Sequence, residues 1–363
     1  MRGTRLLLVL LLLVPALTAR ATDTPLLIEL ELRAGALAEG VSGSGAVAAG
    51  ALANGGGFYW MPTTGVVAIG GKGATGVSRD GRTIVGIAAD SRGVDQAAIW
   101  VRAAEWKLLG SIRPNAAPCD LFLSAALDTS RDGRVVVGHG RDGCTITNAF
   151  RWEESTGMVD LGSSVAGRGS SGTGVSGDGK VVVGYQTDAT GYNRGAKWVD
   201  GRQELFPGTD GFVAAANGAN LDGSIVVGRI CSPAALRPGD ANFQSAWVWT
   251  TQNGTRCLPA PSLRPSPGPV IIVEANATSD DGKVIGGAQN VGGSVDSNAI
   301  IWIDGVPSYL KDYLQAHGVP NAFATWVNTG AITGVSPDGR VLVGWGAARL
   351  GFQGYVVILG DKP

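Results

Sequence analysis

Side chains that could carry out catalysis are few in this chain of 363 residues. It contains two histidines, His139 and His317. A Ser–His–Asp arrangement would need one of them, and zinc sites usually need more. We interpret His139, which follows a glycine at the end of a β-branched segment, as a loop side chain. No glycine-rich segment opens a helical pattern, as a phosphate-binding loop requires. We therefore assign no catalytic residue, metal ligand or cofactor.

Carboxylates and aromatic rings offer a second kind of chemistry. A pair of carboxylates could cleave a polysaccharide, because one can donate a proton while the other attacks or activates water. Glu39 and Glu274 lie at comparable places in two of the repeats described below, where a central pocket would open. Trp345 follows Gly344 and could stack on a ligand. These three residues and His139 are the candidate binding residues, and the same positions also suit solvent-facing side chains.

A short motif organises the rest of the chain. It is Asp-Gly, followed five residues later by another glycine, and it occurs seven times, with Ser-Gly in the first copy. Aspartate and glycine together favour a tight hairpin, because glycine adopts a positive φ and aspartate bonds its own backbone. We therefore interpret the aspartates as turn formers. The turn glycines are Gly45, Gly81, Gly133, Gly179, Gly223, Gly282 and Gly339.

Each copy of the motif belongs to a repeat of about 49 residues. A repeat contains four strand candidates, which we label a to d: a segment ending in Gly-Val-Ser, the β-branched run after Asp-Gly, a run ending in tryptophan, and a short apolar run. Helical periodicity is absent, and solenoid coils are about half as long. The pattern predicts an all-β, seven-bladed β-propeller of four-stranded blades. The recurrent tryptophans predict packing between sheets: Trp60, Trp100, Trp152, Trp198, Trp249 and Trp302.

The two ends of the chain complete this prediction. The last repeat stops after its third strand, and Leu26–Leu32 alternates apolar and polar residues. We expect this N-terminal strand to pair in the last blade, which would close the ring and cover two sheet edges. Residues 1–21 combine early arginines, a short apolar run and small residues, as a signal peptide does. Residues 22–363 would then be one propeller domain.

The composition indicates an exported protein. The apolar run of the leader is too short for a membrane-spanning helix, and no later segment is long enough, so we expect no membrane insertion after cleavage. The four cysteines suit an oxidising compartment, either periplasmic or extracellular. Four cysteines allow three pairings, and their order along the chain favours the local ones, Cys119 with Cys144 and Cys231 with Cys257. Basic and acidic residues are nearly balanced, 29 against 30, which disfavours nucleic acid as a partner. We expect a monomer.

Connection lengths suggest where a ligand would bind. The a–b and c–d connections are short, whereas the b–c and d–a connections on the opposite face are long and variable, as in 229–245 and 311–323. Binding residues often lie on long loops over a rigid scaffold. We expect a non-enzymatic binding or scaffold module for a protein or glycan at this long-loop face. The alternative is a polysaccharide hydrolase or lyase with acidic residues in the central pocket.

The repeat resembles a known family. The segment Ala149–Gly162, with Phe150, Trp152 and Leu161, and the following Gly174–Gly184 resemble the HAF-type extracellular repeat of bacterial exported proteins. The resemblance covers about residues 33–360 and implies an exported repeat protein without a known chemistry. Asn148 stands where the family has its histidine.

Overall fold

The computed structural model describes most of the chain after the leader. The described residues are 24–30, 35–101, 105–113, 122–143, 146–207, 211–233, 243–262, 271–291, 296–349 and 351–360. The predicted signal peptide, Cys119 and Cys144 lie outside them.

The described residues form strands that pair almost entirely antiparallel, with one short helix, which confirms the all-β prediction. The strands of the first half are β1 (Leu26–Leu30), β2 (Ala36–Val41), β3 (Ala48–Leu52), β4 (Gly57–Met61), β5 (Gly65–Gly70), β6 (Gly73–Val77), β7 (Thr83–Ala89), β8 (Asp95–Val101), β9 (Trp106–Gly110), β10 (Ser124–Thr129), β11 (Val136–Asp142), β12 (Ile146–Glu153) and β13 (Gly157–Gly162).

The second half continues the same order. Its elements are β14 (Ser170–Val175), β15 (Val181–Thr187), β16 (Asn193–Val199), β17 (Arg202–Leu205), β18 (Gly211–Val213), β19 (Ala216–Ala219), β20 (Ile225–Pro233), β21 (Phe243–Thr250), β22 (Gly254–Cys257), β23 (Ile271–Thr278), β24 (Val284–Val291), β25 (Ser297–Ile303), β26 (Val306–Tyr309), α1 (Leu310–Ala316), β27 (Trp326–Val335), β28 (Val341–Ala348) and β29 (Gly351–Ile358).

Consecutive strands pair into small sheets. Within the described residues there are five four-stranded sheets and one of nine strands, in which pairings of β23 with β20 and β21 join the fifth and sixth repeats. The N-terminal strand β1 pairs with β29 from Leu26 opposite Ile358 to Leu30 opposite Gly354. It thereby becomes the outer strand of the sheet of β27, β28 and β29, as the sequence predicts.

The hairpin motif is a hydrogen-bonded turn, as interpreted from the sequence. In the fourth repeat the Ser176 hydroxyl donates to Asp178 Oδ1 at 2.7 Å, and the same carboxylate accepts the Lys180 N–H at 3.1 Å. The Val181 N–H donates to Ser176 Oγ at 2.9 Å. Gly179 has a φ of 77°, where a side chain would be strained. The second, third, sixth and seventh repeats have the same arrangement.

The hairpins also join successive repeats. A Cβ added to Gly179 would lie 2.7 Å from Val135 Cγ2 of the preceding repeat. The turn glycine of every repeat meets a Val, Thr or Ile of the repeat before it in this way. The series runs from the last repeat to the first, because Gly45 meets Val341. Glycine is therefore needed in the turn for packing as well as for its φ.

Each sheet packs on its neighbours through aromatic and branched side chains. Five of the six recurrent tryptophans are buried and Trp249 is partly buried, which confirms their packing role. Trp302 Nε1 donates to the Pro259 carbonyl at 2.7 Å, so its polar atom is satisfied inside the core. In the last repeat Val357 stands at the tryptophan position; Tyr355, two residues earlier, is also buried, and its hydroxyl donates to the Ala331 carbonyl at 2.8 Å.

The connection between the sixth and seventh repeats differs from what the sequence predicts. It contains helix α1, although no helical periodicity was identified there. Leu310 and Leu314 are one turn apart and both fully buried, so the apolar face of the helix covers the last sheets. A single pair of leucines is too short a signal for a periodicity. No helix within the described ranges is long and apolar enough to cross a bilayer.

Candidate functional site

The innermost strand of each repeat carries a β-bulge at the same place. In the first repeat Ala38 pairs with Gly50 and Gly40 with Ala49, so Glu39 has no partner across the ladder. An unpaired extra residue of this kind bends the strand and redirects its side chain. The seven bulge residues are Glu39, Thr75, Leu127, Thr173, Asn217, Asn276 and Thr333.

These seven residues line one cavity, which we call the axial channel. Its volume is about 200 Å³, and its wall also contains one or two residues that follow the bulge in every repeat except the fourth. Those residues are mostly glycine, alanine and valine, because the inner strands approach closely there. A Cβ on Gly218, for example, would lie 2.6 Å from the Asn276 carbonyl oxygen.

Five of the bulge side chains bond the next repeat in one repeated pattern. Each donates to the carbonyl oxygen just before the next bulge residue, which stabilises the junction by about 1 kcal/mol apiece. The bonds are Thr75 to Ala126 at 3.0 Å, Thr173 to Ala216 at 2.5 Å, Asn217 to Ala275 at 3.0 Å, Asn276 to Ile332 at 2.9 Å, and Thr333 to Ala38 at 2.6 Å.

Leu127 is the first exception, since its side chain has no donor. The neighbouring Asp128 joins the two repeats instead: its Oδ2 accepts the Val175 N–H at 3.0 Å, and its Oδ1 accepts the Thr129 N–H at 2.8 Å. Burial raises the pKa of Asp128 to about 6, against the lowering effect of these two bonds.

Glu39 is the second exception. Its carboxylate has no hydrogen bond or salt bridge to any described residue of the chain. A neutral carboxyl could donate to the Ala74 carbonyl, the acceptor that the pattern predicts, but a carboxylate cannot. Burial raises the pKa of Glu39 to about 7. Its protonation state therefore changes near neutral pH.

The channel continues to the face that carries the hairpin turns. A second cavity of about 130 Å³ shares Val41, Asp128 and other residues with it and forms a mouth between the turns. Arg131 in the third repeat makes a salt bridge with Asp280 in the sixth, so this pair links repeats that are not neighbours. Arg79 also lines the mouth. The arginine side chains pack over glycines, and that of Arg131 lies beside Gly177.

Glu39 is the one predicted candidate that lines the axial channel. Glu274 lies two residues before a bulge, towards the other end of the strand, and its Oε1 accepts the Asn290 amide at 2.7 Å. Trp345 is half-buried and packs edge-on against Phe352, with ring centroids 5.5 Å apart. Neither is among the residues of the channel wall.

His139 also lies outside the channel wall, and it lies within strand β11, paired with Ala125 and Ala149, rather than in a loop as interpreted from the sequence. Its Nδ1 is 3.3 Å from the Ser171 hydroxyl, and its ring packs on Phe122 at 5.7 Å. Burial, followed by the nearby charge of Arg141, lowers its pKa, which favours a neutral ring. No group of three or more potential metal-ligating side chains occurs among the residues with described positions.

Two of the four cysteines lie within the described residues. Cys231 and Cys257 form the predicted disulfide, with their Cα atoms 5.6 Å apart. It connects β20 to β22 within the fifth repeat, at the long-loop end. The Cys119–Cys144 pairing stays a prediction.

Sequence reasoning missed Asp128, Arg131 and the ring of bulge residues. A signal was present: every bulge residue stands three positions before the hairpin Ser or Asn, and it is Thr or Asn in five of the seven copies. Asp128 stands where five copies have the glycine of Gly-Val-Ser or Gly-Ala-Asn, so a charge replaces a small residue there.

Comparison with known proteins supports the fold. No protein-family profile and no curated protein matches the chain. Among solved structures, the β-propeller domain of the trilobed protease from Pyrococcus furiosus, with an open velcro topology, is similar at 13% identity with a TM-score of 0.53, over 91% of this chain and 97% of that one.

Two further structures are similar. Hydrazine synthase from Kuenenia stuttgartiensis has 13% identity and a TM-score of 0.50, over 93% of this chain and 97% of that one. TolB from Acinetobacter baumannii has 12% identity and a TM-score of 0.46, over 78% of this chain, which spans 65% of TolB. At these identities the first two likenesses show the fold alone, which is that of a β-propeller.

Proposed function

We propose that the chain is an exported, closed seven-bladed propeller that acts as a non-enzymatic binding module for a protein or glycan. In this proposal residues 1–21 are removed on export, and the protein belongs with the HAF-type extracellular repeats. The Cys231–Cys257 disulfide supports an oxidising compartment, periplasmic or extracellular. Pairing of β1 with β29, the Thr333 bond to Ala38, and the packing of Gly45 on Val341 support closure of the ring.

The observation that carries the binding role is the difference between the two faces. On one face short hairpins are tied internally by serine and aspartate, and neighbouring turns are joined by backbone bonds such as Arg79 N–H to the Arg131 carbonyl at 2.8 Å. On the other face the connections at 111–123, 258–270 and 310–325 are longer. Variable connections on a rigid scaffold are suited to recognition.

The alternative is a polysaccharide hydrolase or lyase, and one observation favours it. Glu39 and Asp128 line the same channel, and burial raises the pKa of both. Asp128, however, accepts two backbone N–H groups and joins two repeats, so it is committed to structure rather than free to attack a substrate. A single free carboxylate favours binding over hydrolysis, which uses two.

Ligand screening with face-specific variants tests the proposal. The exported chain is screened on a glycan array and in pull-down, beside Trp345→Ala and Glu274→Gln at the long-loop end and Lys180→Ala on an exposed hairpin. We expect a ligand whose binding weakens with the long-loop variants and persists with Lys180→Ala. Binding lost only with Lys180→Ala would contradict the assignment of the face. Polysaccharide cleavage that disappears in Glu39→Gln would replace the binding role by the enzymatic one.

A further inference from the structure

We propose that the axial channel is a binding site for a primary alkylammonium group, with Glu39 as its counter-ion. This site is separate from the long-loop face and does not depend on the function proposed above.

The hydrogen-bonding capacity of the channel wall defines the ligand chemistry. The side-chain donors at the bulge level are already used, since Thr75, Thr173 and Thr333 donate to carbonyl groups of the next repeat. The amides of Asn217 and Asn276 do the same. Among the bulge residues, the Glu39 carboxylate is a hydrogen-bond acceptor without a partner. A ligand that fits must therefore bring donors.

The charge of the wall points in the same direction. Among the described residues that line the axial channel there is no lysine, arginine or histidine, and the two titratable groups are Glu39 and Asp128. Asp128 is held by backbone N–H groups, whereas Glu39 has no cation beside it. Charge-assisted bonds from an ammonium to a carboxylate are about twice as strong as neutral ones. An organic cation would pair the charge that the fold leaves buried.

An apolar collar selects the rest of the ligand. Val41, Val77, Ala219 and Val335 each stand two residues after a bulge and line both the channel and its mouth; Thr278 does the same in the sixth repeat, with its hydroxyl donated to the Ser279 carbonyl. A ligand whose head reaches Glu39 from the mouth must place its stem against these side chains. An aliphatic stem fits this collar, whereas a sugar hydroxyl there would lose its hydrogen bonds to water.

The size of the channel suits a small organic cation, and the lack of ligands among its described residues disfavours a divalent metal ion. The channel volume of about 200 Å³ equals the liquid volume of roughly six or seven waters, which matches a short alkylamine. A divalent metal ion would need several oxygen ligands, and no set of three candidate ligands occurs in the described part of the chain. At the mouth Arg131 is neutralised by Asp280, so Arg79 is the remaining positive charge that an incoming cation passes.

Calorimetric titration with butylammonium chloride at pH 8 tests the site, with butan-1-ol as the uncharged probe of similar shape. An alkylammonium stays protonated at this pH, like lysine with a pKa near 10.4. A hydrogen bond to a charged group contributes about 1.5–3 kcal/mol, so we expect affinity to fall at least about tenfold in Glu39→Gln. Glu204→Gln removes an exposed carboxylate outside the channel and is the matched control, expected to bind as the wild type does.

The pH dependence gives a second measurement on the unaltered chain. At pH 5.5 Glu39 is largely neutral, and we expect the affinity to be at least about tenfold weaker than at pH 8. Asp128, the other acid of the wall, titrates in the same range, and Glu39→Gln separates the two contributions. Equal binding of butan-1-ol, equal affinity of Glu39→Gln, or an equal loss in Glu204→Gln would each overturn the proposal.

Discussion

Glu39→Gln should stabilise the protein above neutral pH and have a much smaller effect in acid. A carboxyl whose pKa is higher in the folded state favours folding while it is protonated. That contribution is fully present below the unfolded pKa of about 4.5 and is lost as the pH rises through the folded value of about 7. Above pH 7 the folded protein must hold an ionised Glu39 in the channel, whereas the unfolded chain exposes it to water.

The size of the effect follows from the two pKa values. Their difference corresponds to at most about 3.5 kcal/mol, since each pKa unit is worth about 1.4 kcal/mol. Solvent in the channel reduces this, so we expect about 1–3 kcal/mol between pH 4.5 and pH 8. Glutamine can also donate its amide to the Ala74 carbonyl, as Asn217 and Asn276 do to theirs. That bond adds about 1 kcal/mol where Glu39 is ionised, and little in acid, where a neutral carboxyl can make the same bond.

Urea unfolding of wild type and variant across this pH range gives the difference in unfolding free energy. Other titrating groups, including Asp128, are common to both proteins and cancel. Glu39→Leu is the control for the hydrogen bond, because it removes the charge and provides no donor, like Leu127 in the third repeat. A pH-independent difference between wild type and both variants would refute the buried, unpaired carboxylate.

Three further predictions concern the scaffold. Ser176→Ala removes a hydroxyl that both donates and accepts in its hairpin, and urea titration should show a loss of about 1–2 kcal/mol; an unchanged midpoint would contradict the role of the serine. Arg131→Ala leaves Asp280 without its partner across the channel mouth, so thermal unfolding at low salt should show a lower Tm for the variant than for the wild type. An unchanged Tm would mean that the pair is only a surface contact. Reduction of the disulfide between Cys231 and Cys257, 26 residues apart, should cost about 3 kcal/mol of unfolding free energy, and an unchanged denaturation midpoint after reduction would contradict this.

The repeating part of the fold was predictable because it is local. A hairpin such as Ser176–Val181 depends on residues a few positions apart, so its serine, aspartate and glycine mark it in the sequence. The pairing of Leu26–Leu30 with the last sheet is not local, yet it followed from a missing strand at one end and a spare strand at the other. Helix α1 was missed because two buried leucines, Leu310 and Leu314, do not make a periodicity.

The channel was only partly predictable. A bulge shifts the register of one strand against its neighbour without changing the spacing of the motif, so sequence spacing does not reveal it. Glu39 was selected for its charge and position, and Glu274 was selected on the same grounds, although it lies outside the channel wall. The salt bridge of Arg131 with Asp280 joins residues 149 positions apart, and only the three-dimensional arrangement of the repeats brings them together.

Leu127 and Glu39 both depart from the repeat pattern at the bulge position, and they differ in whether the neighbouring residues compensate. At the bulge position a threonine or asparagine bonds the next repeat, and Leu127 is compensated by Asp128, which makes the junction in another way. Glu39 is not compensated: it leaves the expected bond unmade when ionised, and we expect its partly buried charge to lower stability at neutral pH. A local cost that the fold does not offset is expected where function requires the residue. Glu39 is therefore the residue of the channel whose role is best sought in binding rather than in folding.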